Sequence, residues 1–294
     1  MGSIALTFLL ILPVNIVARI SGLLGILSKR TKWHWLAIIA TDIDYRMYQD
    51  KSDKSTVPSD RISNEVKELN EELGQQGLVV CEGYWSVEKC NEAIQEIDRL
   101  IRDYPYLRDK RAKSDLRFYG ANKYSDILND FNGDPMLQQL STLYNQVESR
   151  AAFTLAARMD WSPNNLGSGE GWHRDAFFRQ FKAILYLSDV ANENGPFEII
   201  EQSYKRDSVL KDINLAKLGY MDSRISDAQI DSILTESPER LRSFTAKAGT
   251  LILVDTSSIH RGKPMENGSR YALTNYYYPQ KQINQELYKK FGIA

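Results

Sequence analysis

Residues 171–190 read GWHRDAFFRQFKAILYLSDV, and this stretch decides the fold. It joins a histidine and an aspartate two positions apart, His173 and Asp175, to an apolar run with the composition of a β-strand. Side chains two residues apart on a strand point to the same face. The stretch therefore predicts a sheet on which His173 and Asp175 converge on one side.

Four further apolar stretches with strand-like composition lie on either side of this motif, bounded by turn residues. They are FTLAARMDW (153–161), GPFEII (195–200), GTLILVD (249–255) and RYALTNYYY (270–278). Several short strands separated by turn signals indicate a β-sandwich or a barrel. A charged segment near 205–245 has helical spacing and interrupts the strands. We expect a helical insertion there, a common place for a lid or a specificity element.

The second candidate histidine, His260, follows the stretch GTLILVD through a short polar turn, 85 residues after Asp175. The remaining histidine of the three in the chain, His34, lies in a tryptophan-rich segment near the N-terminus. Two imidazoles and one carboxylate on one face of an octahedral ion form the facial triad of non-haem Fe(II) oxygenases, which leaves positions for a keto acid and dioxygen. Ligands of these types also bind zinc, so a zinc-binding or non-catalytic cupin-like protein is the alternative.

Arg270 begins the stretch RYALTNYYY, ten residues after His260. A guanidinium pairs with a carboxylate in bidentate fashion, which suits the distal carboxylate of a keto acid such as 2-oxoglutarate. Strand alternation places Thr274 on the same face as Arg270, where its hydroxyl is a candidate for the same pocket. Lys182 and Tyr186 share one face of their own strand and are candidates for contacts with this co-substrate.

Three further residues have roles that the sequence leaves less defined. Arg117 and Tyr119, in the segment SDLRFYGANKYSD, either contact an anionic substrate at the mouth of the site or lie in a solvated loop. Asp255 follows an apolar strand, and we expect it to cap the turn that leads to His260.

The part of the chain before the strands is predicted to be largely helical. A helix is expected over Ile62–Leu73, followed by a short strand, LVVC (78–81). Ser86 is expected to cap a second helix, and Asp134 with Pro135 to begin a third. We therefore expect a mainly β core with flanking helices.

Residues 1–60 stand apart from this domain, which is expected to span residues 61–294. The stretch 4–28 is mostly apolar, and basic residues and two tryptophans follow it. This pattern is typical of a membrane-interface anchor, here over residues 4–35, with the domain on the cytoplasmic side. The alternative is a helical extension packed on the domain or on a partner. Residues 50–60 are polar and indicate a linker.

Composition excludes several classes of protein. The formal net charge of -1 gives no strong field for nucleic acid. The two cysteines, Cys81 and Cys90, do not make a disulfide framework, and both lie in apolar patterns typical of a core. Low cysteine use suits a reducing compartment, which favours a cytoplasmic location.

Four stretches resemble the phytanoyl-CoA dioxygenase family of Fe(II)- and 2-oxoglutarate-dependent oxygenases. They are GLVVCEGYWSVEKCNEAIQEIDRLI (77–101), GWHRDAFFRQFKAILYLSDVANENGPFEII (171–200) and GTLILVDTSSIHRG (249–262) with SRYALTNYYYP (269–279). The resemblance implies a double-stranded β-helix, also called a jelly roll or cupin-like fold. It implies Fe(II) on His173, Asp175 and His260, with 2-oxoglutarate on Arg270.

The resemblance also implies an activity. Such enzymes use dioxygen to decarboxylate 2-oxoglutarate to succinate and hydroxylate a second substrate, and ascorbate serves as a reductant. Related halogenases have a small residue at the carboxylate position, so Asp175 favours hydroxylation. Where many relatives have Gly-Ser-His after the strand GPFEII, this chain has Gln202-Ser203-Tyr204. This departure leaves the substrate open, and we expect a small or lipid-linked organic molecule.

Overall fold

The structure, a computed structural model, describes residues 14–31, 33–52, 62–109 and 115–293. Its strands are β1 Leu78–Cys81, β2 Leu116–Tyr119, β3 Ser149–Asp160, β4 Phe181–Tyr186, β5 Phe197–Ile200, β6 Leu241–Phe244, β7 Leu251–Asp255, β8 His260–Gly262 and β9 Ser269–Pro279. Six of them form one sheet in the order β1-β7-β4-β9-β3-β2, and three form a second in the order β6-β5-β8. Each pairing is antiparallel.

The two sheets share an apolar core. Side chains from β1, β4 and β7 pack with side chains from β5 in one cluster, which includes Tyr186, Phe197, Ile199 and Ile252. Strand alternation divides β4 between two environments, because Tyr186 points into this core while Phe181 and Leu185 belong to a different cluster. This sandwich confirms the predicted mainly β core with helices around it.

Helices cover the other face of the six-stranded sheet. The described helices are α1 Val14–Thr31, α2 His34–Ser52, α3 Asn64–Gln76, α4 Val87–Asp103, α5 Asp126–Asn132, α6 Pro135–Asn145, α7 Arg206–Ala216, α8 Asp227–Glu236 and α9 Gln285–Phe291. Apolar residues of α3, α4, α5 and α6 join the outward side chains of the sheet in the largest apolar cluster, in which Cys90 is fully buried and Cys81 packs at the margin.

The predicted helix signals are the ones that the structure uses. Ser86 accepts a hydrogen bond from the backbone N–H of Lys89 at 3.2 Å and so caps α4. Asp134 caps α6 by accepting from the N–H of Leu137 at 3.1 Å, with Pro135 in the first turn.

The predicted helical insertion near 205–245 contains two helices, α7 and α8, but its last residues are not helical. Residues Leu241–Phe244 form β6, which pairs with β5 at the edge of the smaller sheet. An edge strand needs a partner for only one row of its backbone groups, so its polar sequence gives no apolar alternation to detect. The end of the insertion is thus part of the smaller sheet of the sandwich.

The helix α2 packs on the insertion. Ala37 and Tyr45 lie in one apolar cluster with Ile213 of α7, and the Tyr45 hydroxyl donates to the carbonyl of Phe177 at 2.8 Å. The predicted linker, residues 50–60, falls mostly outside the described residues, with α2 continuing to Ser52. None of the helices in the described part of the chain combines the length and apolarity that crossing a bilayer requires.

The helix α1 presents its apolar side chains outward. Its buried positions carry mostly small or polar residues, among them Ser21, Gly25 and Ser28. Ser21 donates to the carbonyl of Ala40 in α2 at 3.0 Å. A side chain at Gly25 would lie 2.2 Å from the Tyr220 ring, so this close packing needs glycine. The exposed face carries apolar residues and continues to two stacked tryptophans: Val14, Ile16, Leu23, Ile26, Leu27, Trp33 and Trp35.

Candidate metal centre

Three side chains from two distant parts of the sequence meet at the edge of the smaller sheet. His173, Asp175 and His260 each offer one ligand atom, and these atoms lie within 4.8 Å of one another. The His260 Nε2 atom lies 3.4 Å from Asp175 Oδ2, and the His173 Nε2 atom lies 3.8 Å from Asp175 Oδ1. The two imidazole rings have centroids 4.3 Å apart.

Backbone hydrogen bonds hold the ligand-bearing segments together. His173 and His260 exchange both of their backbone hydrogen bonds, N–H to carbonyl, at 2.9 Å each. Asp175 donates its N–H to the carbonyl of Thr256 at 3.0 Å. The expectation that His173 and Asp175 lie on a strand was wrong in detail, because this segment makes single β-bridges instead of a continuous ladder.

The extended backbone still sends alternate side chains to opposite sides. His173 and Asp175 point into the site, while the Arg174 side chain between them points away and is 3% exposed. The Arg174 Nη1 atom donates to the carbonyls of Ser203 and Ser257 at 2.6 and 2.5 Å. Arg174 therefore ties the metal-binding segment to the loop after β5 and to the turn before β8.

The loop after β5, which differs from the Gly-Ser-His pattern at Gln202 and Tyr204, is held by two side-chain hydrogen bonds. Ser203 accepts a hydrogen bond on its hydroxyl from the N–H of Ile259 at 2.7 Å, next to the ligand His260. The Tyr204 hydroxyl donates to the carbonyl of Gly74 in α3 at 2.8 Å. Their contacts hold the loop after β5 in place and supply no ligand atom to the triad.

Both histidines are oriented by carbonyl groups. The Nδ1 atom of His173 lies 2.9 Å from the carbonyl oxygen of Gly171, and Nδ1 of His260 lies 2.8 Å from that of Ser258. A carbonyl accepts, so each Nδ1 carries the proton and each Nε2 is left with a lone pair. Burial and the neighbouring His260 lower the pKa of His173 to about 3, which keeps this imidazole neutral, as a metal ligand must be.

Lys182 is the charge partner of the carboxylate ligand. Its Nζ atom lies 2.7 Å from Asp175 Oδ2 and 3.8 Å from the centroid of the Tyr276 ring. Burial alone would raise the pKa of Asp175, but the Lys182 ammonium and His260 outweigh it and hold that pKa well below its ordinary value. Asp175 is therefore ionised at neutral pH.

The turn before His260 is built on Asp255, as the sequence predicts. Its Oδ1 atom accepts from the N–H and the hydroxyl of Ser257 at 2.9 and 2.7 Å, and its Oδ2 atom accepts from the Tyr144 hydroxyl at 2.7 Å. The carboxylate is fully buried and satisfied by these groups. This turn fixes where β8 begins and so where His260 lies.

The triad lines a cavity of about 440 Å³ between the two sheets. All four residues that the sequence proposed as co-substrate contacts line the same cavity: Arg270, Lys182, Tyr186 and Thr274. Thr274 pairs with Ile184 and Lys182 with Tyr276 in the β4–β9 register, so these side chains form one wall. The structure thus brings the whole set of predicted residues together.

Arg270 lies beside β8 and is buried. Gly262 follows His260 by two residues, and a side chain at Gly262 would lie 3.2 Å from Arg270 Nη2. Residues two apart on a strand are about 7 Å apart on one face, so the guanidinium lies one such step from the triad. Burial lowers the pKa of Arg270, and the Tyr186 hydroxyl is a hydrogen-bond partner. Among the described residues, Arg270 forms no ion pair with a carboxylate.

Arg117 is the residue whose role the sequence left open. It lines the same cavity from β2, and its Nε atom lies 2.7 Å from Asp115 Oδ1. Ser168 joins this pair by donating its hydroxyl to Asp115 Oδ2 at 2.8 Å. Arg117 and Tyr119 therefore belong to the wall of the cavity, and the solvated-loop interpretation was wrong. Only the pairing of β2 with β3, which the local sequence does not reveal, brings them there.

The donor set fits a divalent transition metal. Two neutral imidazole nitrogens and one ionised carboxylate face a common point, and carbonyl groups orient both rings as in known metal sites. The carboxylate keeps Oδ1 for a metal while Oδ2 pairs with Lys182. His173, Asp175 and His260 can thus hold one ion with open positions toward the cavity.

No protein-family model matches the chain, and no curated protein matches it either. Solved structures do. The epimerase SnoN from nogalamycin biosynthesis, described as non-haem and α-ketoglutarate-dependent, aligns with a TM-score of 0.54 and 16% identity over 73% of this chain and 82% of that one. EctD from S. alaskensis, solved with bound Fe, aligns with a TM-score of 0.56 and 16% identity over 76% and 79%. HygX from Streptomyces hygroscopicus, with nickel and 2-oxoglutarate bound, aligns with a TM-score of 0.50 and 17% identity over 74% and 88%.

These likenesses establish the fold. The chain shares its jelly-roll fold with these structures, which confirms the predicted fold class. The resemblance to the phytanoyl-CoA dioxygenase family in particular stays a prediction.

Proposed function

We propose that the protein is an Fe(II)- and 2-oxoglutarate-dependent dioxygenase that hydroxylates a small or lipid-linked organic substrate. One observation carries the proposal: a cavity holds two histidines and a carboxylate at one place and, beside them, a buried arginine that forms no ion pair with a carboxylate of the described residues. A buried guanidinium is costly unless an anion pairs with it. A keto acid that reaches from the triad to Arg270 supplies that anion.

In this proposal, each residue of the metal site has its own role. His173, Asp175 and His260 hold Fe(II), and the bound ion supplies the activation of dioxygen for oxidation of the substrate. Lys182 holds Asp175 through one oxygen and leaves the other for the ion. The carbonyls of Gly171 and Ser258 keep the two Nε2 atoms turned toward the metal.

The co-substrate site is assigned to four residues. Arg270 binds the distal carboxylate of 2-oxoglutarate as a bidentate donor, one strand step beyond His260. Tyr186, which contacts Arg270, and Thr274, on the same wall, supply hydroxyl groups. Lys182 lines the same wall and adds positive charge where the dianion binds. Because Gly262 has no side chain, Arg270 can approach β8 closely.

Hydroxylation is proposed on chemical grounds. An aspartate at position 175 fills the carboxylate position, so no site is freed for a halide. SnoN, which shares the fold, is an epimerase, so the reaction type does not follow from the fold. A zinc-binding or non-catalytic protein is the competing proposal, and it gives buried Arg270 no partner.

Succinate formation from 2-oxoglutarate tests the proposal. The purified protein, with Fe(II) and ascorbate, is incubated under air and under nitrogen with a panel of lipids, thioesters, sugars and amino acids. We expect succinate only under air, and none from the Asp175→Ala variant. The control is Asp189→Ala, since Asp189 is an exposed surface residue paired with Lys247. The proposal is contradicted if 2-oxoglutarate fails to bind the metal-loaded protein. It is also contradicted if the protein converts a compound of the panel with Zn(II) in place of Fe(II).

We also propose that α1 lies on the cytoplasmic face of a membrane. Its exposed face carries Leu23, Ile26 and Leu27, with Lys29 and Arg30 at its end. Apolar residues beside basic ones and tryptophans suit the interface of an anionic bilayer. A lipid-linked substrate would then reach the enzyme from that surface. Binding to lipid vesicles tests this part of the proposal.

A further inference from the structure

The cavity carries an excess of positive charge. Among the described residues that line it, five are cationic and two are carboxylates: Arg117, Lys182, Arg224, Arg270 and Lys290 against Asp115 and Asp175. Fe(II) and 2-oxoglutarate have equal and opposite charges, so their binding leaves this excess unchanged. Excess charge of one sign in a cleft favours a ligand of the opposite sign.

Most of these cations have assigned partners. Arg117 pairs with Asp115, and Lys182 pairs with Asp175. Arg270 binds 2-oxoglutarate in the function proposed above. Arg224 is different, because within the described chain no carboxylate forms an ion pair with it.

The backbone fixes Arg224 next to the metal site. Residue 224 makes a β-bridge with His173, and the flanking residues hold the same segment: Arg174 donates its N–H to the carbonyl of Ser223 at 2.8 Å. The Arg224 Nη1 atom donates to the carbonyls of Gly169 and Glu170. Both bonds use Nη1, and among the described residues the other guanidinium nitrogens have no hydrogen-bond partner.

We infer that the substrate is an anion and that Arg224 binds its negative group. This inference rests on the proposed function, and it gives the insertion a role: the loop between α7 and α8 brings a specificity-determining cation to the cavity beside His173. Tyr278 and Phe291 line the cavity as well and suit an apolar or aromatic body attached to the anion. A carboxylate and a phosphate share the chemistry that a guanidinium recognises.

Matched probes test the inference. Protein loaded with Zn(II) to prevent turnover is first titrated with 2-oxoglutarate, and then with phenyl phosphate, phenylacetate and neutral 2-phenylethanol. We expect at least one anionic probe to bind about tenfold more tightly than 2-phenylethanol. The Arg224→Gln variant should lose this preference while its affinity for 2-oxoglutarate stays unchanged. Arg224→Lys, which keeps the charge, should retain most of it.

A matched control and separate readouts make the outcomes distinct. Arg242→Gln removes a half-exposed arginine that lies outside the cavity, and it should leave the affinities for 2-oxoglutarate and for the three probes unchanged. Equal binding of neutral and anionic probes, no binding of either anion at about 10 mM, or an undiminished preference in Arg224→Gln overturns the inference. Failure to bind 2-oxoglutarate overturns the proposed function instead, and the anion preference is then measured on the Zn(II)-loaded protein alone.

Discussion

A glycine sets the position of the first ligand histidine. Gly169 has a φ of +90°, and a Cβ atom built on it would lie 2.2 Å from His173 Cε1. Left-handed backbone conformations favour glycine, and here the space beside the backbone is also taken by the imidazole. Gly171 has a similar φ of +86° but no neighbour within 4 Å of its Cβ position. Substitutions at the two glycines can therefore distinguish the effect of backbone strain from the effect of contact with the His173 ring.

Replacement of Gly169 by alanine should damage the metal site. The left-handed conformation costs alanine about 1–2 kcal/mol, and the methyl group also displaces the His173 ring. We expect Gly169→Ala to weaken Zn(II) or Fe(II) affinity by about tenfold or more. Gly171→Ala, with the same strain and no contact, should lose stability only. Equal metal affinity in the two variants, measured by competition with a chelator, would contradict this account.

Removal of Lys182 should have opposite effects on stability and on metal affinity. The Lys182→Met variant leaves Asp175 without its charge partner, which should cost the metal-free protein about 2 kcal/mol in the free energy of unfolding. A divalent ion then supplies the missing charge without competing with an ammonium, so the metal should bind more tightly and stabilise the variant more than the parent. Denaturation with and without Zn(II) measures both effects.

The surface pair Lys247–Asp189 gives the control for this experiment. Both side chains are more than half exposed, so Lys247→Met should change stability by less than about 1 kcal/mol with or without metal. If Zn(II) raises the free energy of unfolding of Lys182→Met by the same amount as that of the parent, the Lys182 ammonium does not compete with the metal for the Asp175 carboxylate.

At the residue scale, the sequence predicted the site because its chemistry is local. His173 and Asp175 are two positions apart, and His260 and Arg270 lie at the ends of apolar runs, so local patterns were enough to select them as candidates. The fold then brings them together, because His260 on β8 and Arg270 on β9 belong to different sheets. Arg117 could not be assigned in this way, because its place in the cavity depends on β2 adding to the far edge of the sheet.

At the scale of elements, the insertion is joined to the sandwich by a buried ion pair. Asp212 on α7 is fully buried and accepts two hydrogen bonds from Arg240, at 2.7 and 3.0 Å. Arg240 lies just before β6 and also donates to the carbonyl of Glu201 after β5. This pair fixes the helices of the insertion against the smaller sheet, on the side from which Arg224 reaches the cavity.

Breaking this pair should be costly. Asp212→Ala leaves the largely buried Arg240 without a counter-charge, and we expect a loss of about 3–5 kcal/mol in the free energy of unfolding, measured with urea. Asp207→Ala, on the same helix but exposed, should cost less than about 1 kcal/mol. A loss for Asp212→Ala as small as that for Asp207→Ala would show that the pair does not hold the insertion.

Sequence patterns predicted helices and strands where apolar spacing was strong, and failed where contacts from elsewhere decide. The helices α4 and α6 begin at the predicted residues because Ser86 and Asp134 cap them locally. The strand β6 was missed because β5, some forty residues earlier, provides its hydrogen bonds. The segment of His173 was predicted as a strand but makes only isolated β-bridges, to His260 and Arg224. Both partners are distant in sequence, so the local pattern could not show that the pairing is so short.

At the scale of the whole molecule, the outward-facing helix α1 and the cavity of the triad lie in separate parts of the structure. The helix α2 links them, since its Tyr45 hydroxyl bonds to the carbonyl of Phe177 in the segment that follows Asp175. The apolar run at the N-terminus was recognisable in the sequence. The outward orientation of the apolar side chains of α1 was not recognisable in the sequence. The small residues that pack against α2 and Tyr220 give no pattern that marks them as the buried face.

Charges placed on the exposed face of α1 should release the protein from lipid. The double variant Leu23→Glu with Ile26→Glu should bind vesicles of phosphatidylglycerol and phosphatidylcholine at least about tenfold more weakly than the parent, because each burial of such a side chain contributes about 1.5–3 kcal/mol. Val87→Glu with Val147→Glu adds the same charges at exposed apolar positions elsewhere and should bind like the parent. Equal sedimentation of all three proteins with vesicles would exclude a lipid-binding role for this face.

The two backbone hydrogen bonds between His173 and His260 allow the opening of the metal centre to be followed by amide hydrogen exchange. The ligands cannot separate without breaking both bonds, so these two amide protons exchange with solvent only when the site opens. Metal binding favours the closed form and should slow the exchange of both amides in parallel with the occupancy of the site. Unequal slowing of the two, measured by hydrogen–deuterium exchange, would mean that the histidines move independently.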